Sequence, residues 1–442
     1  MSSPNISTKL PGPEAKAWLE KDAEYVSPSY GRPYPLVAKS GKGLAVTDVD
    51  GNVFLDFSAG IAVCSTGHCH PVVVEAIKRQ AETLIHMSGT DFYYREQAFL
   101  GEEIARITPG NQPKKCFFGN SGADAVEAGF KLARYHSSRP RMVAFSGAFH
   151  GRTFGALSLT GSNEKYRRGF APLVPDVTHV PFPYCYRCPF NLEHPSCGLA
   201  CIDYIQDEVF SKYVPPSEVA AIVAEPIQGE GGYIPAPPQY FKRLKSLCDD
   251  HGILFMCDEV QSGFGRSGKM FAIEHWDVVP DIVCMAKGIA SGMPLGVCCS
   301  SSELMNWHQG AHASTFGANP VSCAAAFKTI ELLEGGLIEN AADTGAYLKS
   351  ELESVAREHD IIGDVRGMGL MIGVEFIGDS DRSPAPDISS AVIRDCFEKG
   401  IALLPCGKSV VRFCPPLVVT KEECDYAVTA FREAVEHRSV DF

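Results

Sequence analysis

The chain reads as an α/β protein with a large, mostly parallel sheet domain and a smaller α+β domain. Three observations predict this. The runs VAAIVAEP, GILFMCDEV and DIVCMAK are short and apolar, as strands buried on both faces must be. Helical stretches such as KRLKSLCDDHG lie between them, and strand–helix alternation implies parallel strands covered by helices. After about residue 335 the pattern changes to long amphipathic helices (338–360, 387–400, 420–437) alternating with RGMGLMIGVEF and KSVVRFCPPL, the mark of a separate α+β unit.

In chain order, residues 1–70 are assigned to an N-terminal arm and part of the small domain, 71–334 to the large domain and 335–442 to the C-terminal small domain. The arm is polar and proline-punctuated, with one short helix. LVAKSGKGLAVTDVDGNVFLDF alternates around a DVDGN turn and predicts a hairpin or small meander. SAGIAVCSTGHCHP is a loop. From Pro71 to Met87, Val73, Val74, Ile77, Ala81, Leu84 and Ile85 recur at helical spacing. KCFFGNSGADAVEAGFKLARYHS predicts strand, turn and helix, RMVAF a strand, and PLGVCCSS a further strand of antiparallel sense.

At 442 residues the chain is too long for one ordinary core. Its net charge of −13 argues against binding nucleic acid or an anionic membrane, but leaves room for a local cationic pocket. The first 30 residues lack the apolar centre of a signal peptide, and no stretch has the length of a membrane span, so a cytoplasmic location is expected. Most of the 17 cysteines, among them Cys257, Cys284, Cys298, Cys299 and Cys323, sit singly in apolar runs as small hydrophobes.

Two predicted strands end abruptly on ionisable side chains, one at Asp258 and the next at Lys287. In an open parallel sheet the C-terminal strand ends line the ligand crevice, so the two groups are expected to face one ligand. A buried lysine followed by small residues has a lowered pKa and can form a Schiff base. Ser121 is a good N-cap, Gly122 permits close backbone approach, and the helix start they mark suits a phosphate. Phe149, His150 and Arg152 in AFHGRT offer a ring to stack, a hydrogen bond and a carboxylate clamp. Glu225 and Glu230 stand in a glycine-rich loop without histidine neighbours, and no active-site metal is expected.

SGADAVEAGFKLAR, AFHGRT, EPIQGEGG, DEVQSGFGRSG, AKGIASGMPLG, STFGANP and VVRFCPPL occur in the order and spacing of the class III aminotransferases, which the chain resembles from about residue 35 onward. These are fold type I enzymes using pyridoxal 5'-phosphate, and AFHGRT, GIAV and EPIQGEGG look most like the 4-aminobutyrate aminotransferases. The resemblance implies that Lys287 holds the cofactor covalently and shuttles a proton, while Asp258 pairs with its pyridine nitrogen. It also implies that Gln261 bonds the ring hydroxyl, Phe149 stacks on the ring, and Ser121, Gly122 and Ala123 hold the phosphate. Thr315 would reach that phosphate from a neighbouring subunit, so a homodimer or higher even oligomer is expected. Arg412 resembles the arginine that grips the α-carboxylate of glutamate or 2-oxoglutarate, Glu230 its gating partner, and Arg152 the binder of the distal carboxylate. Ile61 and its neighbours would line the substrate channel.

The implied reaction moves an amino group from an ω-amino acid to 2-oxoglutarate. Acetylornithine or ornithine as donor, a racemase or epimerase of the same family, and a non-enzymatic scaffold are the alternatives. One segment departs from the family pattern: Cys185, Cys188, Cys197 and Cys201 form a CxxC and a CxxxC, a spacing compatible with zinc, disulfides or reduced thiols.

Overall fold

The computed structural model describes residues 3–378 and 382–439. Its centre is a seven-stranded sheet built from β1 (Lys114–Gly119), β2 (Arg141–Phe145), β3 (Val177–Val180), β4 (Val219–Ala224), β5 (Leu254–Asp258), β6 (Ile282–Met285) and β7 (Gly296–Ser301). In space the order is β1-β7-β6-β5-β4-β2-β3. β7 runs antiparallel to both β6 and β1, and the other neighbouring pairs are parallel. The PLGVCCSS run therefore has the predicted sense.

Alternate residues of each strand enter different cores. Met142, Ala144, Met256, Ile282 and Cys284 pack on one side with the helix Gly122–Ser137. Val143, Phe145, Phe255, Cys257, Val283 and Met285 pack on the other. This two-sided burial is why these strands read as unbroken apolar runs. Gly129 lets the helix lie close on the sheet, since a Cβ there would stand 2.6 Å from Met256 Cε. The five cysteines read as small hydrophobes are all buried free thiols.

The segment 38–56 forms the predicted meander, Ala38–Lys42, Ala45–Asp48 and Val53–Asp56. Ile401–Ala402, far along the chain, pairs in parallel with Val53–Asp56. A second, antiparallel sheet joins Ile362–Met368, Met371–Phe376, Val410–Phe413 and Leu404–Cys406, in that spatial order. The helices Ile338–Glu358, Pro386–Glu398 and Lys421–Ser439 fall where the amphipathic spacing placed them.

Several elements were not expected from the sequence. Pro320–Leu332 is an α-helix, yet its PVSCAAAFKTIEL is apolar nearly all round, so no polar face marks the period. Val177–Val180 is a four-residue edge strand, and Arg95–Ile107 is a half-exposed helix. The helix opening at Pro71 ends at Thr83, because Leu84 turns extended at φ −159°. Ile85 and Met87, predicted to continue it, are exposed.

Candidate functional site

A cleft of about 380 Å³ opens at the C-terminal ends of the parallel strands, where an α/β sheet collects its ligands. Ser121, Gly122, Ala123, Phe149, Arg152, Asp258, Gln261 and Lys287, predicted from four separate stretches of sequence, all line it.

At one end of the cleft lies the start of the 16-residue helix Gly122–Ser137. Ser121 caps it, its Oγ accepting the Asp124 amide at 3.2 Å. A Cβ on residue 122 would stand 2.7 Å from Val260 Cγ1, so only glycine leaves the backbone free at this end. Free amides and the helix dipole make this a place for an anion.

Asp258, at the end of β5, is 3% exposed. Its Oδ2 lies 2.7 Å from His150 Nδ1, and its Oδ1 accepts the Val260 amide at 3.0 Å. Burial depresses the pKa of His150, but the Asp258 carboxylate outweighs it and the net shift is upward. Glu225, at the end of β4, also faces the cleft, and burial raises its carboxyl to about 7. It accepts the Phe149 amide at 3.1 Å and the Gly229 amide at 2.9 Å. Glu225 was not predicted as a site residue, and His150 was expected only to offer a hydrogen bond, with no partner named. The signal for Glu225 was the one that exposed Asp258, an ionisable group at the end of an apolar strand.

Lys287 follows β6 with φ +46°, a left-handed conformation uncommon for any residue but glycine. A Cβ on Gly288 would come 2.7 Å from Ser65 Oγ, so the loop carrying Ala59–Thr66 packs directly against this turn. Burial pushes the Lys287 ammonium below its ordinary pKa; Asp258 and Glu225 oppose the shift and Arg412 adds to it. A lysine so placed is more readily neutral and nucleophilic.

Glu230 and Arg412 do not line the cleft, but they form an ion pair, Nη1 to Oε2 at 3.6 Å. The Tyr166 hydroxyl donates to Glu230 Oε1 at 2.6 Å, and the Arg152 guanidinium lies 3.9 Å from the centre of the Tyr166 ring. The chain Arg152–Tyr166–Glu230–Arg412 thus links two cationic groups across one carboxylate. Arg412 is 6% exposed, and its Nε and Nη1 have no hydrogen-bond partner among the described residues. Tyr233 donates to Gln261 Oε1 at 2.9 Å, tying the glycine-rich loop to the cleft.

Ile61 and Thr315 stand outside the lining of the cleft. Ile61 is 45% exposed on a left-handed turn, although Val63 of the same loop does line it. Thr315 is exposed beside Phe316, and its neighbour Ser314 accepts a hydrogen bond from Asn120 Nδ2 at 3.0 Å.

The residues fit a planar aldehyde cofactor bearing a phosphate. They offer a helix N-terminus with a glycine cradle, a buried carboxylate, an aromatic ring and a buried lysine lining one cleft. Among the described residues no group of three histidine, cysteine or acidic side chains is arranged to hold a metal ion, and Cys185, Cys188, Cys197 and Cys201 are free thiols around one small cavity. No helix among these residues is long and apolar enough to cross a membrane.

The family model for aminotransferase class-III matches residues 25–435. The chain is 41% identical over 445 residues to an alanine/serine racemase of Pyrococcus horikoshii, covering 99% of this chain and 93% of that protein. It is 36% identical over 433 residues to a 4-aminobutyrate aminotransferase of Mycobacterium leprae, covering 95% of each. An amine transaminase from an uncultivated Pseudomonas species, solved in the PLP-bound form, superposes with a TM-score of 0.87 at 30% identity, covering 94% of this chain and 98% of that one.

Proposed function

The chain belongs to the class III aminotransferases, and from that premise we propose that it transfers an amino group from an ω-amino acid such as 4-aminobutyrate to 2-oxoglutarate by a ping-pong route. It is a pyridoxal-phosphate-dependent enzyme of fold type I. When bound, the cofactor supplies an electron sink for the carbanion formed at the substrate carbon.

Each residue then has a task. Ser121 and the Gly122 and Ala123 amides would hold the phosphate, Phe149 would stack on the ring, Gln261 would bond the ring hydroxyl, and Asp258 would pair with the pyridine nitrogen. Lys287 Nζ would anchor the cofactor and, once displaced by the incoming amine, would carry a proton from the substrate carbon to the cofactor's exocyclic carbon. Thr315, exposed on its own chain, would complete the phosphate site of a second copy, so a homodimer is part of the proposal. The division at residues 70 and 334 belongs to it too, supported by the pairing of Ile401–Ala402 with Val53–Asp56.

One observation carries the substrate assignment, the Glu230–Arg412 pair. The two half-reactions make opposite demands on this corner. An ω-amino acid has no charge next to its reacting carbon, and Glu230 then neutralises Arg412. Glutamate and 2-oxoglutarate bring a carboxylate there, to which Arg412 Nε and Nη1 can donate while Tyr166 retains Glu230. Arg152 binds the distal carboxylate in both cases.

A second reading, amino-acid racemisation, is favoured by the Pyrococcus relative. It would return the proton to the opposite face of the substrate carbon. A paired assay of the holoenzyme, read by chiral chromatography, separates the two. Glutamate formed from 4-aminobutyrate and 2-oxoglutarate, with no D-amino acid from single L-amino acids, supports transamination. D-amino acid without glutamate overturns it in favour of racemisation.

A further inference from the structure

We propose that Arg366 is a positioning residue for the Glu230 gate, and that Gly373 is the gap that seats the gate loop on the small sheet. The inference rests on the exchange of partners by Arg412 described above.

Arg366, Gly373 and Arg412 are direct register partners across three adjacent antiparallel strands, Arg366 opposite Gly373 and Gly373 opposite Arg412. Residues directly opposite one another present their side chains on the same face. The face therefore reads arginine, glycine, arginine, and the loop 229–233 lies over the glycine. A Cβ on residue 373 would meet Tyr233 Cβ at 3.1 Å and the Gly232 carbonyl oxygen at 3.2 Å. A methyl group there would need the loop and Val410 to give by a few tenths of an ångström.

The two arginines treat that loop differently. Arg412 faces the Glu230 carboxylate at 3.6 Å. Arg366 grips the backbone, Nε and Nη2 both donating to the Gly232 carbonyl at 3.0 and 2.7 Å. Arg366 is itself held, its Nη1 lying 2.8 Å from Asp364 and 2.7 Å from Glu375, whose side chain is 2% exposed. The Tyr184 hydroxyl and Arg187, from the cysteine-bearing segment, also bond Glu375. On the far side of the gate the Gly407 amide donates to the Glu230 carbonyl at 2.8 Å.

The loop backbone is thus fixed at Glu230 and Gly232 while the Glu230 side chain keeps a loose ion pair. Releasing Arg412 to a substrate carboxylate then requires only a side-chain rotation. With the backbone loose, Glu230 would no longer be set against Arg412, and the ω-amine half-reaction would meet a bare buried cation. The glutamate half-reaction supplies its own carboxylate and depends less on the clamp.

The test uses Arg366→Lys and Gly373→Ala in the holoenzyme, with Glu230→Gln as reference. Hydrogen–deuterium exchange reads the loop, and single-turnover rates with 4-aminobutyrate and with L-glutamate read the gate. In both clamp variants exchange over 229–233 should quicken. The ratio of kcat/KM for 4-aminobutyrate to that for glutamate should fall about tenfold, the scale of one lost charge-assisted bond. Wild-type exchange in this loop, or equal loss in both half-reactions, overturns the clamp. If Glu230→Gln leaves the ratio unchanged, or 4-aminobutyrate does not react with the wild-type enzyme, the gate reading itself has failed. Loop exchange then still decides whether Arg366 holds the backbone.

Discussion

His150 Nδ1 stands 2.7 Å from Asp258 Oδ2, and both side chains are shut away from solvent. The hydrogen bond to His150 fixes the orientation of the carboxylate, and both groups line the cleft. Removing the donor leaves a buried anion under-satisfied, which costs more than an exposed hydrogen bond. His150→Ala is therefore expected to weaken cofactor binding by about tenfold or more. Titration of the apoenzyme with pyridoxal phosphate measures this, and unchanged affinity would show that Asp258 needs no such support.

Lys287→Ala should abolish turnover and leave the cofactor bound only non-covalently. Borohydride reduction followed by mass spectrometry should find the cofactor attached to the wild-type chain and absent from the variant. An adduct elsewhere in the variant would move the anchor to another residue.

Gly122→Ala places a methyl group 2.7 Å from Val260 Cγ1 at the head of the helix Gly122–Ser137. Overpacking of this kind costs about 1–3 kcal/mol. The apoenzyme should melt at a lower temperature and bind pyridoxal phosphate more weakly. A wild-type melting curve would mean that Val260 gives way freely.

His68 and Asp56 form a partly buried pair at 2.8 Å beside the loop that packs on the lysine turn. The hydrogen bond to Asp56 raises His68 to about 10, and Asp56 is lowered because its bonds to His68 and Ser58 outweigh burial. A raised histidine contributes stability that is fully present below its unfolded pKa and is lost as pH rises through the folded value. The lowered Asp56 contributes stability present above its unfolded pKa and lost as pH falls through its folded one. His68→Gln should therefore lower the melting temperature most near pH 6, and the difference from wild type should shrink toward pH 10. A difference that does not change with pH would mean that the pair is not ionised in the folded protein.

Much of the site was legible because each strand ends where its apolar run ends. The last residue of GILFMCD and the first ionisable residue after DIVCMA are Asp258 and Lys287, and the helix cap at Ser121 is a local signal as well. Pairings across long sequence separations had no such local mark. Nothing in AFHGRT states that His150 turns onto Asp258, because that contact depends on the sheet order β5-β4-β2. Glu225 looked like one of two loop carboxylates until burial set it apart from Glu230, which is partly exposed and paired.

By itself the sequence determined the α/β class, the run of two-sided strands, the antiparallel sense of β7 and the family, since periodicity, strand-end residues and motif order are local properties of a chain. The tertiary structure decided which of those residues share one cleft, that His150 bonds Asp258, and how Arg366, Gly373 and Arg412 line up beneath the Glu230 loop. Register between strands and the field inside a buried site arise from groups distant in sequence, and only folding brings them within reach of one another.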